Sequence, residues 1–436
     1  MLRTLRKLPN LNYTLTFIRR TFLTKDYKCS DAWKNINASP IINNINLDDF
    51  YNQLDQNYSS KGAISAIDMD IFANSIKDAT HLEELKDLLH KLTLSAETGN
   101  MLESTHHATI RNFISFGYIE ELLNILKNPL DYGVFLDEYV ANILLDELLN
   151  QKKIMLAAEV ASLVMLQEEY TNEITCNLSK YACFKYVMEY KPPEPSLPED
   201  KTKKVDEKKI RIKFLRNPYF DDHFDIKDTY TLSGKTLAWM SEQINDNLNN
   251  NLQLIGWLVY KKYEKLVRLC EIMANTPSFK LYAEVINIFN KEKEKTETET
   301  QDTLDKCVSL LLKSKVAEES LEEALNVAIE NAINRRHKKD ISTQQELFQS
   351  WVKIRQEKLE EQIERLDRAK RAQLLEEKQK EMKDEEQKLW FFENEEKIDL
   401  QIEEKEKLID KTVTTKKTSK DTDDNYVPPE ILPKRK

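Results

Sequence analysis

Apolar residues recur at spacings of three and four along most of the chain, and the segments they define predict helices. From Ile64 to Tyr190, short helical segments follow one another, separated by Thr80, Gly99, Gly117 and the turn NPLDYG. Such a succession predicts an array of helical hairpins. Between Leu237 and Asn290 the sets Leu252, Ile255, Leu258, Val259 and Leu266, Leu269, Cys270, Met273 predict a second helical unit. A further helix is expected near Leu304–Ile333, after an exposed loop over KEKEKTETETQD from Lys291. From Gln344 to about Lys411 the chain is heavily charged, and the pairs Glu361/Arg365, Glu364/Arg368, Asp367/Arg371, Glu376/Lys380 and Asp384/Lys388 place acid before base at i, i+4. Each pair supports an exposed helix by about 0.2–0.5 kcal/mol. Trp351, Ile354, Leu359, Ile363, Leu366 and Leu375 give a broken stripe, which favours a long projecting helix over a coiled-coil dimer.

The resulting partition is a basic, amphipathic leader over 1–26, an irregular lead-in with one short helix over 27–63, and helical repeats over 64–190. A Pro-rich and basic linker over 191–236 comes next, then the second helical unit over 237–340, the charged helix over 341–411 and a disordered tail over 412–436. The first 25 residues carry Arg3, Arg6, Lys7, Arg19, Arg20 and Lys25 without an acid, beside Leu2, Leu5, Leu8, Leu11, Leu15, Ile18 and Phe22. This is the pattern of a mitochondrial presequence, although a retained basic arm has the same composition.

Composition strengthens the all-α reading. Only six glycines occur, none after Gly256, and no proline lies between Pro277 and Pro428, which disfavours folds built on tight turns and phosphate loops. A net charge of −10 argues against nucleic-acid binding by bulk charge alone, so any RNA contact must be local. The five cysteines form no CxxC pair and are expected to be buried thiols. LSGKT, Leu232–Thr236, lacks the glycine that a phosphate loop needs five positions before Gly234, where Thr229 stands. His106 and His107 are adjacent, hence on different helix faces, and FDDHFD, Phe220–Asp225, reads as a solvated turn or a contact with a basic partner. No catalytic site, metal site, cofactor or small-molecule substrate is expected, and no run of 18 apolar residues spans a membrane.

A period of about 35 residues runs through GYIEELLNILKNPLDYGVFLD, Gly117–Asp137, and DEYVANILLDELLNQKKIMLAAEVASLVM, Asp137–Met165. These segments resemble pentatricopeptide repeats, with Gly133 in the turn, Asp137 at the repeat end and Ala157 at a small position where helices approach. The resemblance implies an α-solenoid in which each hairpin buries its apolar face on its neighbours. Repeats of this family read one base each through the fifth and last side chains. In the repeat from Glu138 to Asn172 these are Asn142 and Asn172, a pairing the family uses for pyrimidines; the preceding repeat offers His107 and Asp137, which is not a usual pairing. The leader, the few degenerate repeats, YGVFLDEYVANILLDELL, the middle helical region and the charged helix together resemble the family of protein twenty-seven of the mitochondrial small ribosomal subunit. That resemblance implies a non-enzymatic component of the mitochondrial ribosome in the matrix, with small-subunit ribosomal RNA and other mitochondrial ribosomal proteins as partners. A free pentatricopeptide-type regulator of mitochondrial transcripts is the alternative, and an import or assembly adaptor is a third class. Lys201, Lys203, Lys204, Lys208, Lys209, Arg211, Lys213 and Arg216, interleaved with Ile210, Ile212 and Phe214, fit an arm lying on RNA and a solvated linker equally.

Overall fold

The computed structural model describes residues 21–191, 226, 228–295 and 298–417. Among the described residues 81% are helical, in 17 helices with almost no strand. It divides into two compact units, Met1–Gln356 and Glu357–Lys436.

The first unit opens with α1 (Ser30–Asn37), α2 (Pro40–Asn43) and α3 (Leu47–Lys61), so helices fill much of the stretch whose weak periodicity suggested an irregular lead-in. Hairpins follow: α4 (Ala66–Ser75) with α5 (Leu82–Thr93), α6 (Glu103–Phe116) with α7 (Ile119–Lys127), then the single turn α8 (Pro129–Tyr132), α9 (Glu138–Asn150) with α10 (Ile154–Leu166), and α11 (Glu173–Glu189). Glu103, Glu138 and Glu173 open α6, α9 and α11 at a spacing of 35 residues, so the sequence period is a structural one. The ends of the repeats explain the register. Asp137 caps α9 by accepting from the amides of Tyr139 and Val140, and Asn172 caps α11 by accepting from Ile174 and Thr175. Each satisfies amides that a helix start leaves orphaned, a contribution of about 1 kcal/mol. Leu85, Leu88, Leu89 and Leu92 form a fully buried stripe on α5, and removing each from water contributes about 1.5–3 kcal/mol.

Helix α12 (Thr229–Glu242) begins eight residues before the expected end of the linker, because Asp228 caps it through the amides of Tyr230 and Thr231. The LSGKT string lies inside α12, and its Ser233, Gly234, Lys235 and Thr236 are buried. The glycine serves packing: α13 (Asn247–Val259) crosses α12 so closely that a Cβ on Gly234 would lie 2.7 Å from Val259, and one on Gly256 would fall onto the backbone of Ala238.

Helices α14 (Tyr263–Ala274), α15 (Ala283–Lys295) and α16 (Thr298–Leu311) complete this half. The KEKEKTETETQD stretch is therefore largely helical rather than a loop. Glu and Lys are good helix formers, and Glu292 is buried where it accepts from the Tyr230 hydroxyl at 2.8 Å. The helix expected over Leu304–Ile333 is broken by β2 (Lys315–Val316), which pairs in parallel with β1 (Lys280–Leu281). Helix α17 (Leu321–Lys417) starts after it. Its residues up to Gln356 belong to the first unit. Those from Glu357 onward form the second, which is helical through Lys417, almost wholly exposed as far as Lys411, and has non-helical backbone at Asn394.

Candidate functional site

The fifth residues of α4, α6, α9 and α11 are Asp70, His107, Asn142 and Asn177, and the first part of α17 meets this line in reverse order. Asn177 Nδ2 donates to the carbonyl of Ala328 at 3.3 Å. Asn142 Nδ2 donates at 2.8 Å to the Tyr27 hydroxyl, which donates at 3.0 Å to Asp340 Oδ2. The His107 ring packs against Phe348 and Trp351, with centroids 5.3 and 5.1 Å away. Asp70 Oδ2 accepts from Arg355 Nε at 2.6 Å, and both side chains are buried. From Ala328 to Arg355 the helix advances roughly 40 Å, the span needed to pass four stacked hairpins.

A segment of the N-terminal region lies between the repeats and α17. The amides of Phe22 and Leu23 donate to Asp146 Oδ1, Arg111 donates to the Lys28 carbonyl, and Gln344 Nε2 donates to the Tyr27 carbonyl at 3.2 Å. Tyr27 is fully buried; burial and the adjacent Asp340 raise its pKa far above the ordinary phenol value, so it stays a donor. Arg111 stacks over Trp33 at 5.0 Å, and burial lowers its pKa to about 10.

The repeat ends join the same network. Burial would raise the pKa of Asp137, but the His107 ring at 2.6 Å and the Tyr139 and Val140 amides outweigh it and hold the carboxyl below its usual range. Asn172 Nδ2 donates to Glu138 at 3.1 Å and to Asp340 Oδ2 at 3.2 Å. Of the residues that the repeat resemblance marks as base readers, His107, Asn142 and Asn172 are thus buried and Asp137 is partly so, each bonded within the chain. Lys203, Lys204, Lys208, Lys209, Arg211, Lys213 and Arg216 lie outside the described residues, as does FDDHFD.

Sequence reasoning missed Tyr27, Asp70, Asp340 and Arg355. Asp70 carried a signal, an acid within the apolar run AIDMDIFA one repeat before His107; the other three carried none. Among the described residues, Asp48, His81 and Glu84 also offer ligand atoms within 4.8 Å of one another, but His81 is already hydrogen-bonded to Glu84 at 2.8 Å.

An array of stacked helical hairpins with a helix laid along its fifth positions is a scaffold geometry. The comparison of the whole chain decides its family: residues 1–418 match Mitochondrial 28S ribosomal protein S27. The chain belongs to this family. It is a protein of the mitochondrial small ribosomal subunit and resides in the matrix as part of the mitochondrial ribosome. The family is one of ribosomal structural proteins, and no helix among the described residues is long and apolar enough to cross a membrane. For this family member, the interior network of α17, Tyr27 and the repeat line is what gives the first unit its form.

Proposed function

We propose that the repeats are pentatricopeptide-like hairpins that act as a closed scaffold in the small subunit, holding α17 where a sequence-reading repeat protein would hold bases. The carrying observation is that Asp70, His107, Asn142 and Asn177 all meet α17 or the N-terminal segment that it covers. A base edge would need the Nδ2 donors of Asn142 and Asn177 and the Asp70 carboxylate, which these contacts already use. Ribosomal RNA is then met through phosphate contacts by lysines and arginines of 201–216 and by Arg365, Arg368, Lys370 and Arg371 of α17. The stretch 381–410 has twelve Asp and Glu against five Lys and exposes Trp390, Phe391 and Phe392. Its negative charge repels RNA, and its aromatic residues suit a basic ribosomal protein as neighbour.

The free-regulator reading is disfavoured by the same covered line. The test is crosslinking of mitochondrial small subunits sedimented in high salt. Crosslinks to small-subunit ribosomal RNA, reduced by charge reversal at Lys208, Lys209, Arg211 and Lys213, are expected. Absence of the protein from the subunit, or a change of crosslinked base when Asn142 and Asn172 are exchanged for other repeat-code residues, refutes the reading.

A further inference from the structure

Asp146 is 3% exposed on α9 and faces the start of the described chain. Its Oδ1 accepts from the Phe22 amide at 2.9 Å and from the Leu23 amide at 3.3 Å. Burial is the largest influence on its pKa, which stands above the ordinary carboxylate value. Lys28 faces it and opposes that rise, but is itself paired with Glu147 at 3.2 Å, and Glu147 adds to it. A buried carboxylate held by two neutral amides and one shared lysine lacks a full counter-charge.

Thr21 is exposed, Phe22 packs edge-on against Tyr181 at 5.4 Å, and Leu23 and Tyr27 are core residues. Presequence removal ending anywhere from Leu23 to Cys29 would take core side chains with it, which argues for a leader that ends before residue 23 rather than at 26. Upstream of Phe22 the chain is basic and free of acids, with Arg19 and Arg20 immediately before Thr21.

We propose that the matrix processing peptidase cleaves the Thr21–Phe22 bond, and that the new α-ammonium of Phe22 becomes the counter-ion of Asp146. The inference rests on reading the leader as an import presequence. Water adds across the peptide bond; Thr21 leaves with the new carboxylate and Phe22 keeps the nitrogen, protonated near neutral pH. Only cleavage at this bond puts the charge at the observed 2.9 Å, because one residue further upstream a neutral amide remains there. The ammonium replaces a neutral donor by a charge-assisted one in a buried place, where such hydrogen bonds are strongest.

The first measurement is the N-terminus of the protein in isolated mitochondrial ribosomes, labelled at free α-amines and read by mass spectrometry. A start at Phe22 is expected. A start at Met1 removes the presequence reading itself; a start between residues 2 and 21 keeps that reading and overturns this proposal, as does a start beyond Phe22. The second compares a chain of residues 22–436, released from a cleavable tag, with the same chain beginning at Thr21. The Phe22 start should melt roughly 2–4 °C higher at pH 7, and the gap should close in Asp146→Asn chains. The amine is raised above its unfolded value of about 7.7–8.0, so the gap is full near pH 7, fades as pH rises through the folded value of the amine, and is lost again in acid as Asp146 takes up its proton. Equal melting of the two starts at pH 7, or a gap that persists with Asp146→Asn, overturns the proposal.

Discussion

Replacing Asp70 by asparagine tests whether α17 is locked onto the repeat line by a buried ion pair. Arg355 is 2% exposed, its Nε donates to Asp70 at 2.6 Å, and its Nη2 has no hydrogen-bond partner among the described residues. Asp70→Asn leaves that guanidinium buried without an anion, which costs about 3–5 kcal/mol. Arg355→Met is the milder change. Asp70 keeps Thr105 Oγ1 at 2.9 Å, Asn74 Nδ2 at 3.1 Å and Ser104 as donors, so the loss is about 2 kcal/mol. The double variant removes both charges and should cost less than the two singles together by at least about 1 kcal/mol, since residues in one network couple. Hydrogen exchange read by mass spectrometry on the full chain reports the opening of 341–356 directly. A loss of 3–5 kcal/mol appears as faster exchange there by about two to three and a half orders of magnitude. Exchange in Asp70→Asn within tenfold of the parent, or single effects that simply add, would refute the argument.

Three further outcomes follow from the same geometry. Tyr27→Phe deletes the hydroxyl that links Asn142 to Asp340, leaving both buried groups short of a partner, and should lower stability by about 2 kcal/mol in urea titration; an unchanged midpoint contradicts the network. Gly256→Ala drives a methyl into the α12 backbone and should cost more than about 2 kcal/mol, whereas Gly99→Ala, which meets nothing within 4 Å, should stay within about 0.5 kcal/mol; similar thermal melts for the two would count against the close crossing. Burial lowers the pKa of His106, so below about pH 6.5 the unfolded chain binds a proton that the folded chain resists; stability should fall as pH drops from 6.5 toward the folded value, and His106→Gln should flatten that slope.

The helices themselves were legible because their causes are local. Six glycines, a proline-free stretch of 150 residues and apolar positions at i, i+3 and i+4 leave the backbone few alternatives, and the 35-residue period is written in the repeated caps Asp137 and Asn172. Short-range pattern erred where charge was taken for an exposed loop, as at KEKEKTETETQD, since Glu and Lys promote helix as readily as solvation. That the repeat line is covered was not legible. Asn142 and Asn172 offer the same amide donors to a base edge as to Tyr27 and Asp340, so residue type and spacing cannot distinguish a reader from a strut. Nor does anything local to Arg355 announce a partner 285 residues earlier. That choice belongs to the tertiary structure, which brings α17 and the Phe22–Cys29 segment onto the line and makes burial, rather than solvent or RNA, the partner of its polar groups.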